Sequence, residues 1–190
     1  MMSREPAERI EAPFAGGVAA RLVTGQRLLL NGVLYGARDE AHLRFTDALD
    51  RGEEPPVDLR GQVIYYVGPT SPRPGRPCGA AGPTTSGRMD KYTPRMLEYG
   101  VSAVIGKGRR SPEVAEAIQK QGAVYLAATG GAGALLGRCI KEMHAVAYPE
   151  LGPEAVYRIT VEDFPVTVAI DGRGDDIYRI GPARYRMECE

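Results

Sequence analysis

Apolar residues in this chain recur in two alternating rhythms. RLLLNGVLYG (Arg27–Gly36), QVIYYVG (Gln62–Gly68), VSAVIG (Val101–Gly106) and AVYLAAT (Ala123–Thr129) are short apolar runs that predict strands. The QVIYYVG run is continuous, as expected of a strand covered on both faces. Asn31-Gly32 inside the first run predicts a tight turn or bulge. Between the runs the period becomes helical. Arg38, His42, Phe45 and Leu49 fall at i, i+4, i+7 and i+11, predicting a helix that stops near Gly52, before Pro55-Pro56. Thr93-Pro94 and Ser111-Pro112 each supply an N-cap and a first helical proline, and Gly100 and Gly122 close the helices they open. Val114, Ala117 and Ile118 form the inner face of the second. GALLGRCIKEMHAV (Gly133–Val146) predicts one more helix, with Leu135, Cys139 and Ile140 inward. From Val156 onward AVYRITVEDF, VTVAI and DIYRIG predict short strands. The first 20 or so residues predict an arm ending at Ala15–Gly17, leaving residues 21–190 as the domain. Strands alternating with helices through the middle, and further strands at both ends, predict an α/β domain with a mixed sheet and flanking helices.

Composition narrows the possibilities. Of 190 residues, 24 are basic and 24 acidic, so bulk charge gives no reason to expect nucleic acid or a membrane surface as partner. No apolar run approaches the ~20 residues that span a bilayer, and the amino terminus is polar, which predicts a cytoplasmic protein. The three cysteines, Cys78, Cys139 and Cys189, are scattered and form no CxxC pair. That argues against a disulfide framework and against a metal site made by this chain alone. Cys139 reads as a small buried hydrophobe and Cys78 as a plain loop residue.

The candidate chemistry lies in the long Gly- and Pro-rich loop after QVIYYVG. GPTTSGRMDKYTP (Gly82–Pro94) places Thr84, Thr85, Ser86 and Arg88 on one loop. Hydroxyls beside a guanidinium suit a carboxylate or phosphate, because Arg presents a planar fork that such oxygens meet in bidentate fashion. A loop of this length within a compact domain is more often functional than idle. Lys107 follows a strand, where open α/β sheets gather ligands. Arg38 and His42 share one helix face. His144 reads only as a polar residue near a helix end. Thr129–Gly133 lead into a helix, but the pattern is neither GxGxxG nor a P-loop, so close helix–strand packing is the better reading than nucleotide binding.

NGVLYGARDEAH (Asn31–His42), YYVGPT (Tyr65–Thr70), GPTTSGRMDKYTP, VIGKG (Val104–Gly108), LAATGGAGALL (Leu126–Leu136) and EDFPV (Glu162–Val166) form an ordered set. In content and order they resemble the β-type domain of class I iron–sulfur hydro-lyases, fumarase and L(+)-tartrate dehydratase. The resemblance covers most of the chain from about Val23 to Val168. It implies the swivelling β/β/α fold. It implies that Thr84 abstracts a proton, with Thr85 supporting and Lys107 binding a carboxylate or lowering the threonine pKa. Arg88 and Arg38 become carboxylate clamps. His42 orients Arg38 or belongs to a subunit interface, and Gly130 and Gly131 lie near the cluster-facing surface. It further implies a 4Fe–4S cluster held by a separate α subunit, in an αβ or α2β2 assembly, and a β subunit inactive without it. The reaction the resemblance implies is the interconversion of (S)-malate and fumarate, with L(+)-tartrate as the alternative substrate. From another class, a stand-alone small-dicarboxylate-binding domain would use the same cations without catalysis.

Overall fold

The computed structural model describes residues 6–186; Cys189 lies outside the described residues. Strand β1 (Glu8–Ala12), followed by the short helix α1 (Val18–Arg21), lies parallel to β2 (Arg27–Gly36). Then β3 (Val63–Tyr65), β4 (Ala103–Gly106) and β5 (Val124–Ala127) continue the parallel order from β2. Helix α2 (Asp39–Asp50) connects β2 to β3. Helices α3 (Thr93–Tyr99) and α4 (Pro112–Gln121) flank β4 in sequence. After α5 (Gly133–Cys139) come two antiparallel strands, β6 (Ile140–Ala147) and β7 (Val156–Ile170), and then α6 (Ile177–Tyr185). Strand β7 pairs with β2 along most of its length and with β5 at its C-terminal end, so β2, β3, β4, β5 and β7 close a ring.

Strand alternation sorts the apolar runs into two cores. Val63, Tyr65, Ile105, Val124 and Leu126 face inward, against Leu28, Leu30, Leu34, Phe164 and Val166 of the antiparallel strands. Tyr65 and Phe164 meet edge to face there, their centroids 5.1 Å apart. Ile64, Tyr66, Val104 and Tyr125 face outward, under Ala41, Phe45, Met96, Leu97, Val114 and Ile118 of α2, α3 and α4. Both faces of the parallel strands are therefore covered, which is why their sequences are continuously apolar and not alternating. Among the described residues no helix is long and apolar enough to cross a membrane.

The α/β class, the mixed sheet, the parallel middle and the Asn31-Gly32 irregularity are as expected; the register of β2 on β7 shifts between Leu30 and Gly32. Several local expectations are corrected. The predicted helix over Gly133–Val146 stops at Cys139, because Ile140–Ala147 pairs with the edge of β7. That pairing satisfies backbone groups the edge would otherwise leave open. Leu135 is exposed and Leu136 is inward. The reason is that α5 turns its glycines to the chain beneath, where a Cβ on Gly137 would stand 2.5 Å from the Gly79 carbonyl oxygen. His144 lies on β6 opposite Arg158, not near a helix end.

Other segments differ too. DIYRIG belongs to α6, whose start Asp176 caps by accepting the Tyr178 N–H at 2.8 Å. Thr93 does not cap α3; Tyr92 takes that place. The two short strands expected after Val156 are one strand, irregular at Asp163, whose N–H donates to Asn31 Oδ1 at 3.0 Å. Part of the segment read as an arm is the edge strand β1, with Ile10 and Ala12 buried and Arg9 bound to Asp163 at 2.8 Å.

Candidate functional site

Four consecutive parallel strands deliver the candidate residues to one end of the sheet. Arg38 follows β2, the Thr84–Arg88 loop follows β3, Lys107 follows β4, and Gly130 and Gly131 follow β5. The carboxyl ends of parallel strands are where side chains can converge without being claimed by the sheet.

The loop is locked where β3 and β4 diverge. Tyr66 N–H still donates to Ile105 O at 2.9 Å, but beyond it the returning chain takes over as neighbour. Pro83 bridges Val67, Thr84 N–H donates to Tyr66 O at 2.7 Å, Thr85 bridges Lys107, and Ser86 N–H donates to Lys107 O at 2.9 Å. Thr84 and Lys107 are thereby tied through the backbone of adjacent segments. Gly106 makes this possible, since a Cβ there would lie 2.0 Å from Ser86 Oγ. The half-buried Lys107 runs over Gly130, where a Cβ would be 3.3 Å from its Cδ.

The two arginines share a carboxylate that the sequence reading did not single out. Asp39 accepts from Arg38 Nε at 3.1 Å and from Arg88 Nε at 3.0 Å. Partial burial works to raise the Asp39 pKa, but the hydrogen bond from Arg38 and the two positive charges outweigh it and hold the carboxyl below its usual range. Arg38 also pairs with Glu154 at 3.2 Å and lies across Gly68. Arg88 is more open, its side chain 54% exposed.

His42 is buried beneath Arg38, which leaves it no surface to offer a partner and favours the orienting reading. Its Nδ1 is 2.9 Å from the Arg38 carbonyl oxygen, so the ring carries its proton on Nδ1 and donates there. Burial pushes its pKa down to about 4, so the ring is neutral. A cavity of about 650 Å³ opens elsewhere, beside α6 at Asp176 and Arg179. The surface carrying Thr85 and Arg88 is open, which suits a site completed by another surface.

The family model described as Fumarase C-terminus matches residues 14–181. The chain belongs to this family. Fumarate hydratase 2 of Leishmania major is 43% identical over 156 residues, covering 81% of this chain and 28% of that protein. The anaerobic class I fumarate hydratase of Escherichia coli is 42% identical over 155 residues, covering 80% and 28%. This chain therefore spans little more than a quarter of the length of those relatives. The putative L(+)-tartrate dehydratase subunit beta of Methanocaldococcus jannaschii is 40% identical over 164 residues, covering 83% of this chain and 84% of that protein. The relatives are hydro-lyases by name.

The 4Fe–4S cluster implied by the resemblance would need thiolate ligands. Among the described residues, no three of His, Cys, Asp or Glu converge as metal ligands. Burial pushes the Cys78 thiol pKa up, and that of Cys139 as well. Cys139 Sγ is also turned toward the carbonyl oxygens of Leu135 and Asp163. This donor set does not fit a cluster.

Asp39 and Glu154 complete the arginine network without having been candidates in the sequence. Asp39 had a signal, since it stands inside the NGVLYGARDEAH motif. Glu154, which reaches Arg38 from a distant connection, had none.

Proposed function

We propose that this chain is the β component of a two-component hydro-lyase that interconverts (S)-malate and fumarate. The observation that carries the proposal is the gathering of Arg38, Thr84, Arg88 and Lys107 at the carboxyl ends of consecutive parallel strands. A malate dianion has two carboxylates for the guanidinia. Arg88, half-exposed and held through one carboxylate oxygen of Asp39, has donors to give. Dehydration removes a proton from C3 and the hydroxyl from C2, giving fumarate and water. Thr84 takes the C3 proton on its deprotonated Oγ. The ammonium of Lys107, from the segment paired with Thr85, favours that form electrostatically. The hydroxide leaving C2 takes a proton from solvent to become water, and Thr84 returns its own proton to solvent to regenerate the base. His42 fixes Arg38 through its carbonyl.

The layer of parallel strands between an antiparallel layer and helices supports the swivelling β/β/α reading of the domain. The two-component assembly, αβ or α2β2, is supported by the subunit name of the Methanocaldococcus jannaschii relative. We place the 4Fe–4S cluster on the α partner, and expect this chain to be inactive without it. Tartrate, with one more hydroxyl, is the alternative substrate, and the same relative's name favours keeping it in the test.

Co-expression with a candidate α chain, followed by anaerobic assay with fumarate, malate and L(+)-tartrate, tests the proposal. Turnover of malate by the complex and not by the chain alone is expected. Turnover of tartrate alone would reassign the substrate. Dicarboxylate binding without turnover by any complex would favour a binding module.

A further inference from the structure

Arg110 lies just after VIGKG, yet its side chain is fully shielded from solvent. Its Nε donates to Asp90 Oδ1 at 2.7 Å and its Nη2 to Thr93 Oγ1 at 2.6 Å. Among the described residues Nη1 has no hydrogen-bond partner. The guanidinium instead lies 5.0 Å from the Tyr125 ring centroid and 5.5 Å from that of Tyr66, where the π faces meet the cation.

Each neighbour of Arg110 leads back to the Thr84–Arg88 loop or to the Lys107 segment. Asp90 Oδ2 accepts the Ser111 N–H at 2.8 Å. Thr93 spends its own proton on Met89 O at 2.8 Å, so Tyr66 donates to Thr93 Oγ1 at 3.0 Å. Tyr125 donates to Gly108 O at 2.8 Å, and Ser86 Oγ donates to Tyr125 at 3.0 Å. One buried cation thus joins Asp90, just past the loop, and Thr93, the first residue of α3, to the tyrosine that holds Ser86 and Gly108. Thr84 and Lys107 stand on the two segments so joined.

We infer that Arg110 is a positioning residue that fixes the Thr84–Arg88 loop against Lys107 without touching substrate. The inference deepens the proposed function and rests on it, because the loop matters for turnover only if Thr84 and Arg88 act on substrate. The planar fork is the essential property: two nitrogens serve two acceptors on different turns of chain while the plane packs between tyrosines. A lysine ammonium keeps the charge and cannot do this.

Arg110→Lys is compared with wild type in two ways. Backbone hydrogen exchange, measured on the full chain, reports the loop directly. In the complex with the α chain, kcat and KM for malate are measured. Exchange at Thr84, Ser86 and Arg88 is expected to rise at least ~10-fold, with β2 and β7 unchanged. Misplacement by about an ångström costs on the order of 10²-fold in rate, so kcat is expected to fall ~10–100-fold while KM changes less than ~3-fold. Asp90→Ala, which removes the partner, is expected to give the same local exchange pattern, and the double variant no more than either single one.

Unchanged loop exchange in both variants overturns the inference. Exchange that rises equally in β2 and β7 also overturns it, since Arg110 would then support the whole fold. A loosened loop with undiminished kcat upholds the pin and refutes the catalytic reading of Thr84 and Arg88, so the two failures are distinguishable.

Discussion

Gly106→Ala tests the joint between the two motifs most directly. The added Cβ would lie 2.0 Å from Ser86 Oγ, 3.2 Å from Ser86 Cβ and 3.0 Å from Tyr66 Cδ2. Ordinary contact distances are ~3.5 Å or more, so about 1.5 Å must open on the Ser86 side. Ser86 cannot simply rotate away: it is buried, and its hydroxyl donates to Tyr125 at 3.0 Å. Overpacking costs ~1–3 kcal/mol and losing a buried hydrogen bond ~1 kcal/mol, together about 2–4 kcal/mol. At ~2–4 °C per kcal/mol for a domain of this size, Tm should fall by about 4–16 °C.

The assay is thermal and urea unfolding of wild type, Gly106→Ala, Ser86→Gly and the double variant. Ser86→Gly removes the two Ser86 atoms and leaves only the 3.0 Å approach to Tyr66 Cδ2, so the double variant should recover at least ~1 kcal/mol relative to additivity. Malate turnover in the complex should fall in Gly106→Ala, since the Thr84 loop moves with Ser86. A melting point within 2 °C of wild type, or strict additivity in the cycle, would refute the claim that Gly106 exists to admit Ser86.

Three further outcomes are expected. Thr84→Ala in the complex should lower kcat ~10²–10⁴-fold with KM and assembly little changed; a loss under about threefold would make Thr84 a loop former. Arg88→Lys should lose much of kcat/KM despite keeping its charge, whereas wild-type kinetics would show that no bidentate clamp operates there. For His42 the folded pKa of about 4 lies below the ordinary 6.5, so its stabilising contribution is complete above pH 6.5 and is lost as pH falls toward 4. It amounts to roughly 3 kcal/mol at ~1.4 kcal/mol per pH unit, and His42→Phe should flatten the unfolding free energy between pH 6.5 and 5 where wild type declines.

Much of this arrangement was legible in the sequence because it is local. The strands β2, β3, β4 and β5 are marked by apolar runs, and Gly100 and Gly122 end helices in the left-handed conformation their lack of Cβ permits. The failures came where a partner far along the chain decides the outcome. Ile140–Ala147 has the residues of a helix, yet the open edge of β7 makes it a strand. Glu8–Ala12 looks like a loose terminus until β2 offers an edge. Arg110 resembles any surface arginine in sequence. Only the fold brings Asp90, Thr93, Tyr66 and Tyr125 around it.

The charges at the strand ends explain how the site can be both assembled and receptive. Two guanidinia side by side repel, and Asp39 between Arg38 and Arg88 removes that repulsion while Glu154 holds Arg38 from the other side. Among the described residues Arg38 is then satisfied by two carboxylates, whereas Arg88 shares only Asp39 and stays half-exposed. In the proposed reading, the asymmetry makes Arg88 the arm that an incoming carboxylate engages first. In the open surface of this chain that engagement is weakened by water and salt. Covered by a partner, the same fork would act at lower dielectric, where each hydrogen bond to charge is stronger. In the proposed reading, this chain contributes the oriented cations and the base. In that same reading the α subunit contributes both the remaining chemistry and the wall that makes those cations effective.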